Sequence, residues 1–274
     1  MRYAFIGCEV LFREFCLLAA RAEVVIDSIM MPQGLHNVPA DLRTRVQQEI
    51  DRLEMDGAET SPFGEMASGA PRYDAILLGY ALCSNGVVGL TSQRTPLVIP
   101  RGHDCITLLL GSMECYRDYF DTHRGIYWYS SGWIERTLQP GRERWERTRC
   151  QYAKQYGEEN AEYLMEMEQG WFKEYRWATY IDWQLPTSAR DRAFTRDCAE
   201  FLGWEYDEII GDPQLMDDFL NGRWDDARFL VVPPGACIEP SHDPTIMKSC
   251  PGCNCHGAEQ MLACDLPAMN SLRR

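Results

Sequence analysis

The chain has 274 residues, of which 45% are hydrophobic and 25% charged, and its formal net charge is −14 at pH 7. This composition is typical of a globular protein, and the acidic balance argues against nucleic acid or an anionic membrane as a partner, because both bind basic surfaces. No apolar stretch reaches the length of a membrane span, and Glu9, Arg13 and Glu14 interrupt the first apolar run where a signal peptide would be uncharged. A cytoplasmic location is therefore expected.

Strand and helix patterns alternate along the first half of the chain. Short apolar runs predict strands over 3–7, 23–27, 74–79, 97–100 and 126–131. Apolar or amphipathic segments predict helices over 10–21, 39–53 and 104–120. The segment 56–71 is rich in glycine and proline and is typical of a loop. This alternation predicts a doubly wound, mostly parallel α/β fold whose first strands have the order 2-1-3-4.

The second half repeats part of this pattern. Strands are predicted over 179–182, 206–210 and 229–233, and helices over 140–170 and 187–202. A shift of 133 residues superposes Tyr73-Asp74 on Tyr206-Asp207 and Leu97-Val98 on Leu230-Val231. The echo favours two related Rossmann-like halves with the binding site in the cleft between them. The predicted domains are a metal-site half (1–135), a second half (136–240) and a cysteine-rich tail (241–274).

Three cysteines follow predicted strands of the first half. Cys8, Cys83 and Cys105 each come just after a buried apolar run, and the carboxyl ends of parallel strands meet at one edge of a sheet. Twelve cysteines are many for a cytoplasmic chain, where disulfides are disfavoured, so metal ligands or reactive thiols are expected. Three thiols with His103 or a solvent molecule suit zinc, and a three-cysteine [4Fe-4S] cluster fits as well. Buried structural cysteines are the alternative.

Polar residues near the same strand ends are candidates for holding a small-molecule substrate. His36 is a candidate proton carrier because the pKa of histidine lies near neutrality, and Arg101 is a candidate clamp for an anionic group. A capping histidine and a surface arginine are the alternatives. No glycine-rich phosphate fingerprint follows the first strand, which counts against a dinucleotide cofactor. The candidate catalytic residues are His36, Glu9, Arg101 and Asn85, and the candidate cofactor-binding residues are Gly34, Ser84 and Gly86.

The tail holds a second group of cysteines. Its members are Cys250, Cys253, Cys255 and Cys264. Four thiols, two of them in a C-x-x-C knuckle, are typical of a structural zinc or cluster site. The alternatives are a flexible redox-active tail or an arm that supplies a ligand to the first site. Aromatic residues are dense between 127 and 183, where core packing is more expected than a ligand-binding wall.

Several segments resemble an uncharacterised family, the domain of unknown function 1638. The resemblance rests on Pro32-Gln-Gly-Leu-His36, on Tyr73-Asp-Ala-Ile-Leu-Leu-Gly-Tyr80 with Cys83, and on Pro100-Arg-Gly-His-Asp-Cys105. It covers about residues 3–240, and the tail looks like an addition. The resemblance implies anaerobic bacteria or methanogenic archaea and one-carbon metabolism, by association with corrinoid-dependent methyltransferases.

The leading hypothesis is a metal-binding protein of corrinoid-linked methyl metabolism that uses cysteine-ligated zinc to activate a thiol or a small substrate. One alternative is an iron–sulfur protein with an open iron. The other is a non-catalytic module that senses or delivers a metal or cofactor, with a corrinoid protein or methyltransferase as its partner. Whether the protein is an enzyme stays open at this point.

Overall fold

A computed structural model describes residues 1–55 and 72–251, which form a mixed α/β fold with a mostly parallel central sheet. The strands are β1 (Arg2–Cys8), β2 (Val25–Met31), β3 (Ala75–Gly79), β4 (Leu97–Pro100), β5 (Ile126–Tyr129), β6 (Trp177–Asp182), β7 (Glu205–Ile210), β8 (Phe229–Val232), β9 (Ala236–Pro240) and β10 (Met247–Pro251). The α-helices of the described residues are α1 (Phe12–Ala19), α2 (Pro39–Met55), α3 (Cys105–Leu110), α4 (Met113–Thr122), α5 (Ser131–Arg136), α6 (Arg142–Tyr156), α7 (Glu158–Glu168), α8 (Ser188–Leu202) and α9 (Gln214–Leu220).

The central sheet has the strand order β2-β1-β3-β4-β8. The first four strands are parallel, which confirms the predicted order 2-1-3-4, and β8 is antiparallel to β4. Every residue of β3 and β4 is buried, as expected for parallel strands whose two faces are covered. The predicted apolar face of α2 is also buried, through Leu42, Val46, Ile50 and Leu53.

A second sheet contains the parallel strands β5, β6 and β7 in that order. Its own core is aromatic and includes Tyr129, Tyr180, Phe172 and Trp204, so these side chains pack inside the protein. Trp183 follows β6 and belongs to the core of the first sheet, where its Nε1 donates to the carbonyl oxygen of Leu109 at 2.9 Å. The two sheets therefore share packed side chains.

The sheets do not follow the domain boundaries expected from the sequence. The predicted strand 126–131 lies in the 1–135 half, but β5 pairs within the second sheet. The predicted strand 229–233 lies in the 136–240 half, but β8 pairs with β4. The internal echo is likewise not a repeated pairing, because β3 and β4 are neighbours while β7 and β8 lie in different sheets. Short apolar runs indicate that a strand is buried, and they carry little information about its partner.

Two further differences concern single elements. The predicted helix over 104–120 is two helices, because Gly111 adopts a left-handed conformation with φ 81° and the Ser112 side chain then caps α4. The first strand of the predicted tail is β10, which pairs with β9 as an antiparallel hairpin, and residues 252–274 lie outside the described residues. Within the described residues, none of the helices has the length and apolarity needed to cross a lipid bilayer.

Candidate functional site

Backbone hydrogen bonds beyond the ends of β3 and β4 position the candidate cysteines. The amide of Leu82 donates to the carbonyl of Gly102, and the amide of Cys83 donates to the carbonyl of His103, both at 2.9 Å. These bonds extend the pairing of the two strands into the segments that follow them. Cys83 is thereby held beside the start of α3, where Cys105 is the first residue.

The three thiols come together at this edge of the sheet. Cys8, Cys83 and Cys105 are all buried, and the side chains of Cys83 and Cys105 are hydrogen-bonded to each other. Cys8 lies close enough for its charge to interact with both of the others. Residues far apart in the sequence thus form one cluster, which we call the thiol cluster.

The surroundings of the thiol cluster shift the pKa values of its three cysteines in different directions. Burial, reinforced by the charges of Cys83 and Glu9, raises the pKa of Cys8 to about 11. The hydrogen bond from Cys105 lowers the pKa of Cys83, and the same bond raises the pKa of Cys105, with burial adding to that effect. Of the three thiols, Cys83 is the one whose pKa is lowered, with Cys105 as its hydrogen-bond donor.

The turn that carries Cys83 has an uncommon backbone. Cys83, Ser84 and Asn85 have φ values of 46°, 56° and 64°, so three successive residues other than glycine are left-handed. Each such residue costs roughly 1–2 kcal/mol relative to right-handed backbone. The turn closes through the amide of Gly86, which donates to the carbonyl of Cys83 at 3.0 Å. Strain of this kind persists only where the surrounding structure holds it, as the hydrogen bond between Cys83 and His103 does here.

Tyr80 is a member of the site that the sequence analysis did not single out. Its side chain is 3% exposed, and its hydroxyl has no hydrogen-bond partner in the described residues. Burial and the charges of Cys8, Cys105 and Cys83 raise its pKa, so the hydroxyl is a neutral donor beside the thiol cluster. A buried hydroxyl without a partner costs about 1–3 kcal/mol, which a bound ligand would recover. The position of Tyr80 directly after β3 is the feature of the sequence that could have indicated its place in the site.

Glu9 and His36 lie at the border of the thiol cluster. Glu9 follows Cys8, its Oε1 accepts the amide of Gln33 at 2.9 Å, and its Oε2 lies 3.5 Å from Nη1 of Arg136. The hydrogen bond between Gln33 and Glu9 holds the loop after β2 beside Cys8. His36 lies in the 3-10 turn Leu35–Asn37 of the same loop. Burial lowers the pKa of His36, opposed by the charge of Asp104. The lowered pKa favours the neutral form of this imidazole.

Asp104 caps the helix that carries Cys105. Its Oδ1 accepts the amide of Ile106 at 3.0 Å, and the hydroxyl of Tyr116 donates to its Oδ2 at 3.3 Å. Burial raises the pKa of Asp104, against the lowering effect of these hydrogen bonds. The His103 side chain is exposed, and its charge acts on Asp104. The expected fourth ligand is thus at the rim of the cluster.

Arg101 differs from its predicted role as an anion clamp. Its Nε donates to the carbonyl oxygens of Asp226 at 2.8 Å and Phe229 at 3.2 Å. Its Nη1 donates to the carbonyls of Thr245, at 3.0 Å, and Met247. The guanidinium therefore ties β4 to the segments around β8 and β10, and a structural role replaces the predicted one.

The other predicted site residues belong to two loops. Ser84 and Asn85 are exposed in the left-handed turn, and the carbonyl of Asn85 accepts from Arg43 Nη2 at 3.3 Å. Gly86 packs against Leu42 of α2, where a Cβ would lie 2.5 Å from Leu42 Cδ2. Gly34 has φ 93° in the loop that leads to His36. Ligand binding by Gly34, Ser84, Asn85 and Gly86 stays a prediction.

Of the four cysteines predicted to form a tail site, the structure describes only Cys250. Cys250 lies in β10 opposite Cys237 of β9, and Cys253, Cys255 and Cys264 lie outside the described residues. Over residues 1–55 and 72–251, no group of three or more histidine, cysteine or acidic side chains is arranged so that it could hold a metal ion. The thiol cluster is thus a close group of donors and not a preformed cage.

Comparison with known proteins supports the resemblance seen in the sequence. A family model described as a protein of unknown function (DUF1638) matches residues 30–220. The chain belongs to this family. The DUF1638 match contains Cys83, Cys105, His36 and Tyr80 and begins after Cys8, so it is shorter than the expected 3–240. No curated protein and no solved structure matches the chain.

Proposed function

We propose that the protein binds a thiophilic metal through Cys8, Cys83 and Cys105, with zinc as the first candidate. The observation that carries the proposal is the meeting of three buried thiols at the carboxyl ends of β1, β3 and β4. Soft thiolate ligands favour zinc, copper(I) and iron–sulfur clusters over harder ions. Metal binding would require each thiol to lose its proton and the three side chains to turn toward a common point.

The arrangement also suits an exchangeable ligand. Three protein ligands leave one position of a tetrahedral zinc for a substrate or a solvent molecule. The Tyr80 hydroxyl would donate a hydrogen bond there, and Glu9 and His36 could accept or carry protons at the rim. The expected link to corrinoid-dependent methyl transfer rests on the family resemblance and stays a prediction. An activated substrate thiol is the chemistry that this site would serve.

A redox dithiol is a second candidate, favoured by the hydrogen bond between Cys83 and Cys105. In this reaction the Cys83 thiolate attacks an external disulfide, such as oxidised glutathione, and releases one thiol. Cys105 then attacks the mixed disulfide, so an Sγ–Sγ bond forms within the protein and a second thiol leaves. Two electrons pass to the external disulfide, and the two protons of the cysteines end on the released thiols.

Metal analysis of anaerobically purified full-length protein distinguishes these functions. We expect Cys8→Ser, Cys83→Ser and Cys105→Ser each to contain about one metal ion per chain less than the wild type, because each removes a ligand. Cys150→Ser, at an exposed position of α6, and Cys198→Ser, in the second core, are the matched controls. Circular dichroism verifies that every variant is folded.

The outcomes separate the candidates. A colourless protein with zinc supports the first, and absorbance near 400 nm with iron selects the cluster. A mass loss of about 2 Da after treatment with oxidised glutathione, confined to chains with both Cys83 and Cys105, selects the redox dithiol. Metal content that is equal in the wild type and all three cluster variants contradicts metal binding at this site.

A further inference from the structure

Two cysteines lie opposite each other in the hairpin formed by β9 and β10, and neither belongs to the thiol cluster. Cys237 of β9 and Cys250 of β10 are direct partners in the register of these antiparallel strands, and both carry a thiol. Directly opposite residues of antiparallel strands point to the same face, with Cβ atoms about 4.5–5.5 Å apart. The two thiols are therefore neighbours. The inference below concerns this pair and does not depend on the function proposed above.

The hydrogen bonds of β9 show which kind of pair this is. On one side of the strand, the amide of Ile238 donates to the carbonyl of Leu90 at 3.2 Å, and its carbonyl accepts from the amide of Gly89 at 2.8 Å. Because the backbone polar groups alternate in direction along a strand, those of Cys237 point to the other side, toward β10. Cys237 and Cys250 thus form a hydrogen-bonded pair, whose Cα atoms lie about 5.5 Å apart. This separation is within the range of about 4.4–6.8 Å that a disulfide spans.

The next pair on the same face shows that side chains meet across these strands. Glu239 and Lys248 are opposite each other in the register, and Nζ of Lys248 lies 3.7 Å from Oε2 of Glu239. Side chains two positions apart along a strand point to the same face, so this ion pair lies beside the two cysteines. Opposite charges across a strand pair favour the register in which they meet. The ion pair thus supports the register that places Cys237 opposite Cys250.

The two thiols differ in their access to solvent. Cys237 is 1% exposed, whereas Cys250 is partly exposed. The carbonyl of Met247 accepts a hydrogen bond from Nη1 of Arg101, so the start of β10 is held to β4. A reagent from solution would therefore meet Cys250 first, while Cys237 waits behind it in a fixed position.

We propose that Cys237 and Cys250 form a reversible disulfide that fastens β10 to β9. The thiolate of Cys250 attacks an external disulfide of low molecular weight, such as oxidised glutathione, so that a mixed disulfide forms and one glutathione leaves. Cys237 then attacks Sγ of Cys250, an Sγ–Sγ bond forms within the hairpin, and the second glutathione leaves. The two electrons and the two thiol protons of the cysteines end on the released glutathione molecules. An excess of reduced glutathione reverses both steps.

The disulfide would determine which chemistry is open to Cys250. The sequence analysis groups this residue with Cys253, Cys255 and Cys264, which lie outside the described residues. A metal binds the thiolate form of cysteine, and a sulfur atom in a disulfide has no thiolate to offer. Oxidation of the pair therefore withdraws one predicted ligand from the tail.

Peptide mapping tests the proposal, because trypsin separates the two cysteines. Cleavage after Arg228 and Lys248 places Cys237 in residues 229–248 and Cys250 in the peptide that begins at Ser249. Full-length protein is equilibrated with oxidised glutathione, alkylated with N-ethylmaleimide in denaturant and digested without reductant. Mass spectrometry then measures the fraction of peptide 229–248 that is cross-linked to the later peptide. We expect the cross-linked form to predominate and dithiothreitol to abolish it.

Substitution identifies the partner, because the peptide that begins at Ser249 contains four cysteines. Cys250→Ser should abolish the cross-link, and Cys250→Ala repeats the test if circular dichroism shows that the serine variant is unfolded. Cys253→Ser is the matched control, since it removes a thiol three residues further along, and its cross-link should equal that of the wild type. A bond between Cys83 and Cys105 joins other tryptic peptides and does not contribute. Absence of the cross-link in the wild type, its persistence in the Cys250 variants, or its loss in Cys253→Ser overturns the proposal.

Discussion

Glu14 is the residue whose burial has the clearest consequence for stability. It lies in α1, is 1% exposed, and its Oε2 has no hydrogen-bond partner in the described residues. Burial raises the pKa of its carboxyl from 4.5 to about 7, with Arg13 lowering it and Glu135 and Asp191 raising it. The folded protein thus keeps a proton on Glu14 that the unfolded chain releases.

The sign of the pH dependence follows from this proton. Between pH 4.5 and 7 the folded state binds more protons than the unfolded state, so the contribution of Glu14 to stability decreases as the pH rises through this range. We expect a loss of about 3 kcal/mol. Glu14→Gln keeps the shape and cannot ionise, so its free energy of unfolding relative to the wild type should increase from pH 5 to pH 8. Urea unfolding across this range measures the difference.

The exposed Glu159→Gln is the control for Glu14, because its carboxyl lies on the surface of α7. Its difference from the wild type should stay within about 0.5 kcal/mol at every pH. Parallel stability profiles of the wild type and Glu14→Gln would contradict the assignment of a protonated buried carboxyl.

At the scale of elements, the contact between α5 and the 3-10 helix Glu9–Leu11 depends on a glycine. A Cβ on Gly132 would lie 1.7 Å from the carbonyl oxygen of Val10, so only glycine allows the two backbones to approach this closely. The same contact brings Arg136, at the end of α5, to Glu9 beside the thiol cluster. The packing of α5 therefore positions a residue of the site.

Gly132→Ala should therefore destabilise the protein, although alanine is normally the better helix former. The clash is with backbone and not with a flexible side chain, so we expect a loss of about 1–3 kcal/mol or more in the free energy of unfolding. Gly170→Ala is the control, because a Cβ there meets no atom within 4 Å. Thermal or urea unfolding compares the two variants, and equal stability of both would show that α5 can move away without cost.

The sequence was sufficient to predict those site residues whose location depends only on their position at the end of a strand. Cys8, Cys83 and Cys105 follow β1, β3 and β4, and parallel order alone brings them to one edge. Tyr80 follows the same rule and could have been found. Arg136 could not, because its contact with Glu9 depends on how α5 packs on a distant segment. The role of Arg101 also depends on tertiary structure, since its partners are backbone carbonyls of residues 226–247.

At the scale of the whole molecule, the central sheet is not contained in the first 135 residues, because its strand β8 spans Phe229–Val232. The β8 strand pairs with β4 over four residue pairs, from Leu97 with Val232 to Pro100 with Phe229. We expect a fragment of residues 1–135 to lack cooperative unfolding, because β4 loses its neighbour and Arg101 loses its carbonyl partners. A thermal melt with a two-dimensional amide NMR spectrum measures this. A dispersed spectrum with one sharp transition would instead make 1–135 an independent domain.

The element sequence of the fold was predictable and its partition into sheets was not. Alternating strands and helices predict parallel strands in a doubly wound order, and in the order β2-β1-β3-β4 the chain returns past β1 between β2 and β3. The antiparallel return of β8 depends on packing between segments more than 120 residues apart, as in the pair Leu97 and Val232. Local apolar patterns do not report such pairings.

The return of β8 to the central sheet has a consequence for biosynthesis. While the ribosome is still translating the second sheet, β4 is already outside the exit tunnel with one unpaired edge, since its partner ends at Val232. An open strand edge on a nascent chain is a place where another chain can pair wrongly. Completion of the first sheet therefore waits until the second sheet has been translated, and chaperone dependence and inclusion-body formation during rapid expression are the expected signs of this order.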